Sequence, residues 1–175
     1  YKIEDDFFAN FKIQNEGSRE NIFVIVENGN AAFNYRDVAG KMSNKLRITM
    51  LTLNYCHQTC WNTIDKPWNG FCAPEDFLGN YKEGDRRGPC PADAGTHGCD
   101  GWGWFLGPVF ESDDSDVILE MTDKQKGLKA IIVPQVTSLT DATHNDGARF
   151  LKYEVDKVGA NKYCENDFVL LRYAD

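Results

Sequence analysis

The chain has 175 residues, 42% of them hydrophobic and 26% charged, which suffices for one domain with a real core. No run approaches the roughly 18 apolar residues of a membrane-spanning helix, so a span of that kind is excluded. Lys and Arg number 19 against 27 Asp and Glu, and the net charge of −8 repels phosphate backbones and argues against nucleic acid as a partner.

Along the chain, residues 5–13 set Phe7, Phe8, Phe11 and Ile13 on one face behind leading acids, a pattern for a short helix. Asn15-Glu16-Gly17-Ser18 breaks it. Asn21-Ile22-Phe23-Val24-Ile25-Val26 is a strand-forming run that ends at the turn signal Asn28-Gly29-Asn30. Residues 46–55 alternate well enough for a strand, though a helix fits too. Residues 56–107 show little periodicity and hold all four Trp and five of the six Cys. Within them, 74–81 predict one short helix with Pro at an early position, and 88–103 read as loop. A loop that long in a compact domain is functional or disordered, and its cysteines and tryptophans argue against disorder. Residues 117–121 and 130–133 predict strands, and 148–155 alternate like an edge strand. The apolar end, Phe168-Val169-Leu170-Leu171 onward, carries no stop signal and reads as an element cut in mid-course. With no linker or repeat, residues 1–175 are expected to form a single α+β domain of short elements and long irregular loops.

Six cysteines with no thiol-chemistry motif point to an oxidising compartment and to at least one disulfide. Cys90 and Cys99 flank eight glycine-bearing residues that a bond between them would stiffen. As zinc ligands, only Cys56 and Cys60 have knuckle spacing, and His57, His97 and Cys99 are scattered, so no metal site is expected. No Gly-x-Ser-x-Gly or His-Glu-x-x-His motif occurs, and the abundant carboxylates suit a solvated surface, so the chain is expected to be no enzyme and to need no cofactor. The glycine-rich run 101–107 lacks the spacing of a phosphate loop and places two Trp where backbone amides would have to approach.

The tryptophans carry the functional expectation. Trp68, beside a turn, is expected in the core, because its area favours burial. Trp102 and Trp104 alternate with glycines that cannot pack around an indole; two apart in an extended segment, they would project from one face. Exposed flat rings with Asp and Asn nearby suit stacking on a sugar's C–H face while the acids take its hydroxyls. Trp102, Trp104 and Trp61 form the expected platform, with Asp100 and His97 as polar partners. Docking of a protein through the same rings is the alternative.

Several segments in order also resemble the RagB/SusD family of nutrient-binding outer-membrane lipoproteins: Glu20-Asn21-Ile22-Phe23, Trp68-Asn69-Gly70, and Asp76-Phe77 through Tyr81 to Asp85-Arg86-Arg87. Gly147-Ala148-Arg149-Phe150-Leu151-Lys152-Tyr153 and Asn166-Asp167-Phe168 through Arg172-Tyr173-Ala174-Asp175 complete the series. The resemblance implies an irregular, ligand-facing segment of an otherwise all-α, tetratricopeptide-like protein, with Arg172-Tyr173-Ala174-Asp175 opening a helix. It implies charged pairs between Asp85 and Arg86 and between Arg172 and Asp175. It further implies a surface-exposed lipoprotein of the outer membrane that binds glycans for polysaccharide utilisation and passes them to a SusC-like TonB-dependent transporter. The cysteines and the loop from Cys90 to Trp104 depart from that family's pattern.

Overall fold

The computed structural model describes residues 1–26, 52–62, 66–122, 125–155 and 166–175, apart from the side chains of Tyr55 and Cys56. The turn expected at 28–30, most of the strand expected over 46–55, the Cys56 thiol and Cys164 lie outside the described residues.

The first element is a 3-10 helix, Phe7–Phe11. It starts where the Asp6 carboxylate accepts the Phe8 amide and stops where Lys12 turns extended. Phe8 and Phe11 are buried, as their spacing predicts. A second 3-10 helix, Tyr55–Gln58, precedes Trp61. Helix α1, Glu75–Leu78, follows an extended Pro74 and carries two acids in its first turn, facing the positive end of its dipole. Helix α2, Gly95–Gly98, interrupts the stretch expected to be loop.

The strands are β1 (Asn21–Ile25), β2 (Trp104–Phe105), β3 (Gly107–Pro108), β4 (Ile131–Ile132), β5 (Arg149–Phe150) and β6 (Phe168–Arg172). They form three antiparallel pairs: β1 with β6, β2 with β5 and β3 with β4. Residues 117–121, expected as a strand, run beside β3 and the approach to β4 through isolated bridges, Phe110 to Ile118 and Glu120 to Lys129. Backbone bonds from Leu119 to Val109 and from Ala130 to Leu119 continue that ladder.

This architecture corrects the expected fold class. The α-helices that lie wholly within the described residues have four residues each, and the paired strands are antiparallel. The chain is a small β-rich domain, not a piece of an all-α tetratricopeptide-like scaffold. The physical reason lies in the run Phe168-Val169-Leu170-Leu171-Arg172, which is extended strand and not helix. It pairs instead with β1, Phe168 opposite Ile25 and Val169 opposite Val24. The backbone then closes a turn from Asp175 N–H to the Arg172 carbonyl. Gly79 ends helix α1 after a single turn.

The core gathers Leu53, Trp61, Phe105, Val109, Met121 and Ile132, all almost fully buried. Trp61 meets Phe105 edge-to-face at 5.8 Å, an arrangement that adds about 1 kcal/mol to the area both rings bury. A second, polar cluster fastens the two ends of the chain together. Asn15 Nδ2 donates to the Asn10 and Asp167 carbonyls, and its Oδ1 accepts the Asp167 amide at 2.8 Å. Asn166 Nδ2 donates to the Phe11 carbonyl. Buried Glu20 accepts Asn10 Nδ2, the Glu4 amide and Arg172 Nη1.

Candidate functional site

A cleft of about 470 Å³ opens where three distant parts of the chain meet. The first wall is the N-terminal 3-10 helix and its exit, giving Asp6, Phe8, Lys12 and Ile13. Leu151, Glu154 and Val155, beyond β5, form the second. The third is the loop Cys99-Asp100-Gly101 with Arg86, and Trp61 contributes from the core. Two hydrogen bonds hold the first wall to the second: Glu154 N–H to the Phe11 carbonyl, and Ile13 N–H to Glu154 Oε2, both 2.9 Å.

Of the five residues expected to bind ligand, Trp61 and Asp100 line this cleft. Trp61 is 1% exposed, so it contributes a wall rather than an open stacking platform. Asp100 is exposed on the rim. Trp102 sits beside the cleft, half-buried against the core, with the Arg86 guanidinium carbon 4.4 Å from its ring centre. Trp104 is elsewhere: it packs edge-on against Phe150 at 5.0 Å and Phe77 at 5.4 Å. His97 stacks on Phe110 at 4.0 Å, away from the cleft lining.

The flat, doubly exposed indole strip expected of 101–104 does not form, and glycine is the reason. Gly103 is buried, and a Cβ there would collide with the Arg87 carbonyl. Its N–H donates to the Arg86 carbonyl at 2.8 Å, and Leu151 N–H donates to its own carbonyl. The glycine thus lets two backbones touch instead of leaving one face bare. Trp68, expected in the core, is 60% exposed, beside a backbone turn at Asn69 (φ 55).

The charged motifs also rearrange. The expected pair of Asp85 with Arg86 is replaced by Asp85 with Arg87, whose Nη2 and Nε donate to the carboxylate at 2.6 and 2.9 Å. These bonds hold the Asp85 carboxyl below its ordinary pKa. Arg86 turns the other way, donating from Nη2 to the Asp100 carbonyl at 2.9 Å. Arg172 donates to Asp175 Oδ1 at 2.9 Å and reaches back to Glu20 at 3.3 Å.

The expected Cys90–Cys99 disulfide is not formed. Cys90 is a free thiol; its sulfur contacts the Leu106 carbonyl at 3.3 Å and accepts the Leu106 amide at 3.2 Å. Burial pushes that thiol's pKa up, which disfavours the reactive thiolate. Cys99 Sγ points instead at the Thr96 carbonyl, closing the short helix α2. Among the described residues no three His, Cys, Asp or Glu side chains converge as a metal site would require.

Sequence reasoning missed Asp6, Phe8, Lys12, Ile13, Leu151 and Glu154 as cleft residues. Phe8 is legible as a buried face of its helix, but nothing in linear spacing brings residues 6–13 to 151–155. Also missed was a buried polar cluster around Arg149. Its guanidinium donates to the His144, Asp146 and Thr52 carbonyls. Fully buried His57 is held to a pKa of about 3, first by desolvation and then by the charges of Arg149 and His144.

Compared with protein-family models, with curated protein sequences and with solved structures, the chain matches none.

Proposed function

We propose that the chain binds glycans without transforming them, as the capture component of a cell-surface nutrient-uptake system. The observation that carries this reading is the cleft itself. Its floor is apolar, through Trp61, Phe8 and Leu151, and its rim is rich in hydrogen-bonding groups, through Asp6, Lys12, Arg86, Asp100 and Glu154. A sugar presents the same division, with C–H faces for the floor and hydroxyls for the rim. The volume, about 470 Å³, lies within the range of roughly 300–1,000 Å³ of small-ligand sites. The ordered motifs shared with RagB/SusD proteins support the wider setting. In that setting the chain belongs to a surface-exposed outer-membrane lipoprotein that delivers oligosaccharides to a SusC-like TonB-dependent transporter. The reading does not extend to an all-α scaffold.

Calorimetric titration of oligosaccharides that score on a glycan array tests it. Asp100→Ala, on the exposed rim, is expected to weaken binding about tenfold, equivalent to ~1.4 kcal/mol. Trp104→Phe, in the β2–β5 pair, leaves affinity unchanged. An array without a bound glycan, or affinity indifferent to Asp100→Ala, refutes the proposal.

One observation favours a second reading, a module that docks to the transporter or to a peptide or host ligand. The β1–β6 ribbon exposes Phe23 (61%), Val26, Leu170, Leu171 and Tyr173, more contiguous apolar surface than scattered exposure explains. Phe23→Ser with Leu171→Ser would then abolish co-purification with the transporter and leave sugar affinity intact.

A further inference from the structure

We infer that this cleft takes uncharged oligosaccharides and turns away acidic ones, with Glu154 as the residue that discriminates; the inference rests on the glycan reading of the same cleft. The lining holds three carboxylates, Asp6, Asp100 and Glu154, against two cations, Lys12 and Arg86. Both cations stand beside an acid. Lys12 faces Asp6 at 4.0 Å. Arg86 donates to the carbonyl of Asp100, whose own side chain adds a carboxylate to the lining. Glu154 differs, because among the described residues its carboxylate meets no cation. Its Oε2 accepts the Ile13 amide, a neutral donor that leaves the charge uncancelled. The excess charge of the cleft is therefore negative, the same sign as the whole chain at −8.

Glu154 is also set in place before any sugar arrives. Its N–H donates to the Phe11 carbonyl and its Oε2 accepts the Ile13 amide, both at 2.9 Å. Anchored at two points on the facing wall, the side chain spares the ordering cost that a free glutamate incurs on binding. Its other oxygen, Oε1, accepts no donor among the described residues. An ionised carboxylate only accepts, so this oxygen suits a hydroxyl proton. A neutral sugar supplies that proton. A carboxylate or sulfate at the same position supplies none and brings a like charge against Glu154, which costs affinity. The buried floor of Trp61, Phe8 and Leu151 keeps water from one side of this encounter. Repulsion there is screened less than on an open surface.

The test titrates the full chain with neutral oligosaccharides that bind on a glycan array. Each is paired with a counterpart whose primary alcohol is oxidised to a carboxylate or carries a sulfate. Wild type is expected to bind the neutral member at least about fivefold tighter at low ionic strength, and the gap narrows at high ionic strength. Each variant is read as the ratio of its two affinities, so that a general weakening cancels. Glu154→Gln keeps an oxygen for the Ile13 amide while removing the charge, and should shrink the ratio to about twofold or less. Glu111→Gln removes an exposed charge outside the cleft lining and leaves the ratio as it was. Circular dichroism establishes that both variants are folded. Acidic members bound as tightly as neutral ones by wild type, or a gap indifferent to salt, overturn the inference while the glycan reading stands. So does a ratio untouched by Glu154→Gln, or one that Glu111→Gln shrinks as far. An array with no bound member overturns both.

Discussion

Two polar clusters lie buried in this chain, and they are solved in opposite ways. The terminal cluster of Asn10, Asn15, Glu20, Asn166 and Asp167 satisfies its groups with one another and with backbone. Asn15 alone exchanges three hydrogen bonds with Asn10 and Asp167. The cluster around Arg149 is incomplete. Among the described residues, Arg149 Nε and both ring nitrogens of His57 are buried without a hydrogen-bond partner. A buried donor with its partner contributes about 1 kcal/mol to stability, whereas one without a partner costs about 1–3. The terminal cluster therefore resembles a lock, fastening β1 to β6 and the N-terminal wall to the cleft. The Arg149 cluster resembles a strain point that the surrounding apolar core must hold closed.

The contrast is broken most strongly by acid. His57 has a folded pKa of about 3 against an ordinary value of 6.5. The unfolded chain therefore takes up a proton that the folded chain refuses. Stability is complete above pH 6.5, falls by about 1.4 kcal/mol per unit below it, and levels off near the folded value. The whole window amounts to at most about 5 kcal/mol. Asp85, Asp175 and Glu4, whose pKa values are lowered by hydrogen bonds from arginine, begin to lose their contributions only as pH falls through their unfolded values of 3.8 to 4.5, inside the lower part of that window. Urea unfolding between pH 7 and 5 isolates the histidine. His57→Gln should flatten that segment, and an unchanged slope would show that His57 is not the buried titrating group.

Glu20→Ala tests the other side. It strands Arg172 Nη1 and Asn10 Nδ2 in a buried setting, and the expected loss is about 3 kcal/mol, nearly independent of pH between 5 and 7. A loss below about 1 kcal/mol would show that water replaces the carboxylate and that the two ends are not locked. Gly103→Ala is expected to cost about 2 kcal/mol, because its Cβ must push the Arg87 backbone aside. It should also lower glycan affinity, since Gly103 anchors the backbone of Arg86 through a 2.8 Å hydrogen bond. Melting temperature and calorimetric titration on one preparation separate the two effects.

How much of this was legible in the sequence differs between the same two regions. The first helix, β1, α1 and β4 follow from local signals: phenylalanine spacing, a β-branched run, a proline with acids behind it, and an apolar pair. Of the terminal lock, Glu20, Asn166 and Asp167 stand in the motifs at 20–21 and 166–175, whereas Asn10 and Asn15 do not, and their convergence depends on the antiparallel pairing of β1 with β6, about 150 residues apart in sequence. The end of the chain reads only as an element cut in mid-course because Phe168-Val169-Leu170-Leu171 carries no period that tells a strand from a helix; pairing with β1 decided it. Trp102 and Trp104 were misread because glycine neighbours suggest open space, while here glycine marks close backbone contact. The cleft was not legible at all. Its walls come from residues near 6–13, 86, 100 and 151–155, and only the folded chain brings them together.

The smallest expected effect belongs to Asp85, and it sharpens the comparison from outside both clusters. In a buried position, losing an Arg partner would cost several kcal/mol, which is what a pair holding residues 75–87 to the core would show. The geometry is different. Arg87 carries 63% of its side-chain surface in solvent, so water screens the charge and takes over its donors when the carboxylate is removed. What remains is local: Asp85 Oδ1 also accepts the Arg87 amide at 3.0 Å, tying a turn two residues long. Asp85→Ala should therefore lower stability by about 0–1 kcal/mol, and less at high salt. Thermal melts at low and high ionic strength check it. A loss above about 2 kcal/mol would mean that Asp85 fixes the backbone leading into Arg86, and the placement of that side chain at the cleft would then depend on this turn as well as on its contact with Trp102.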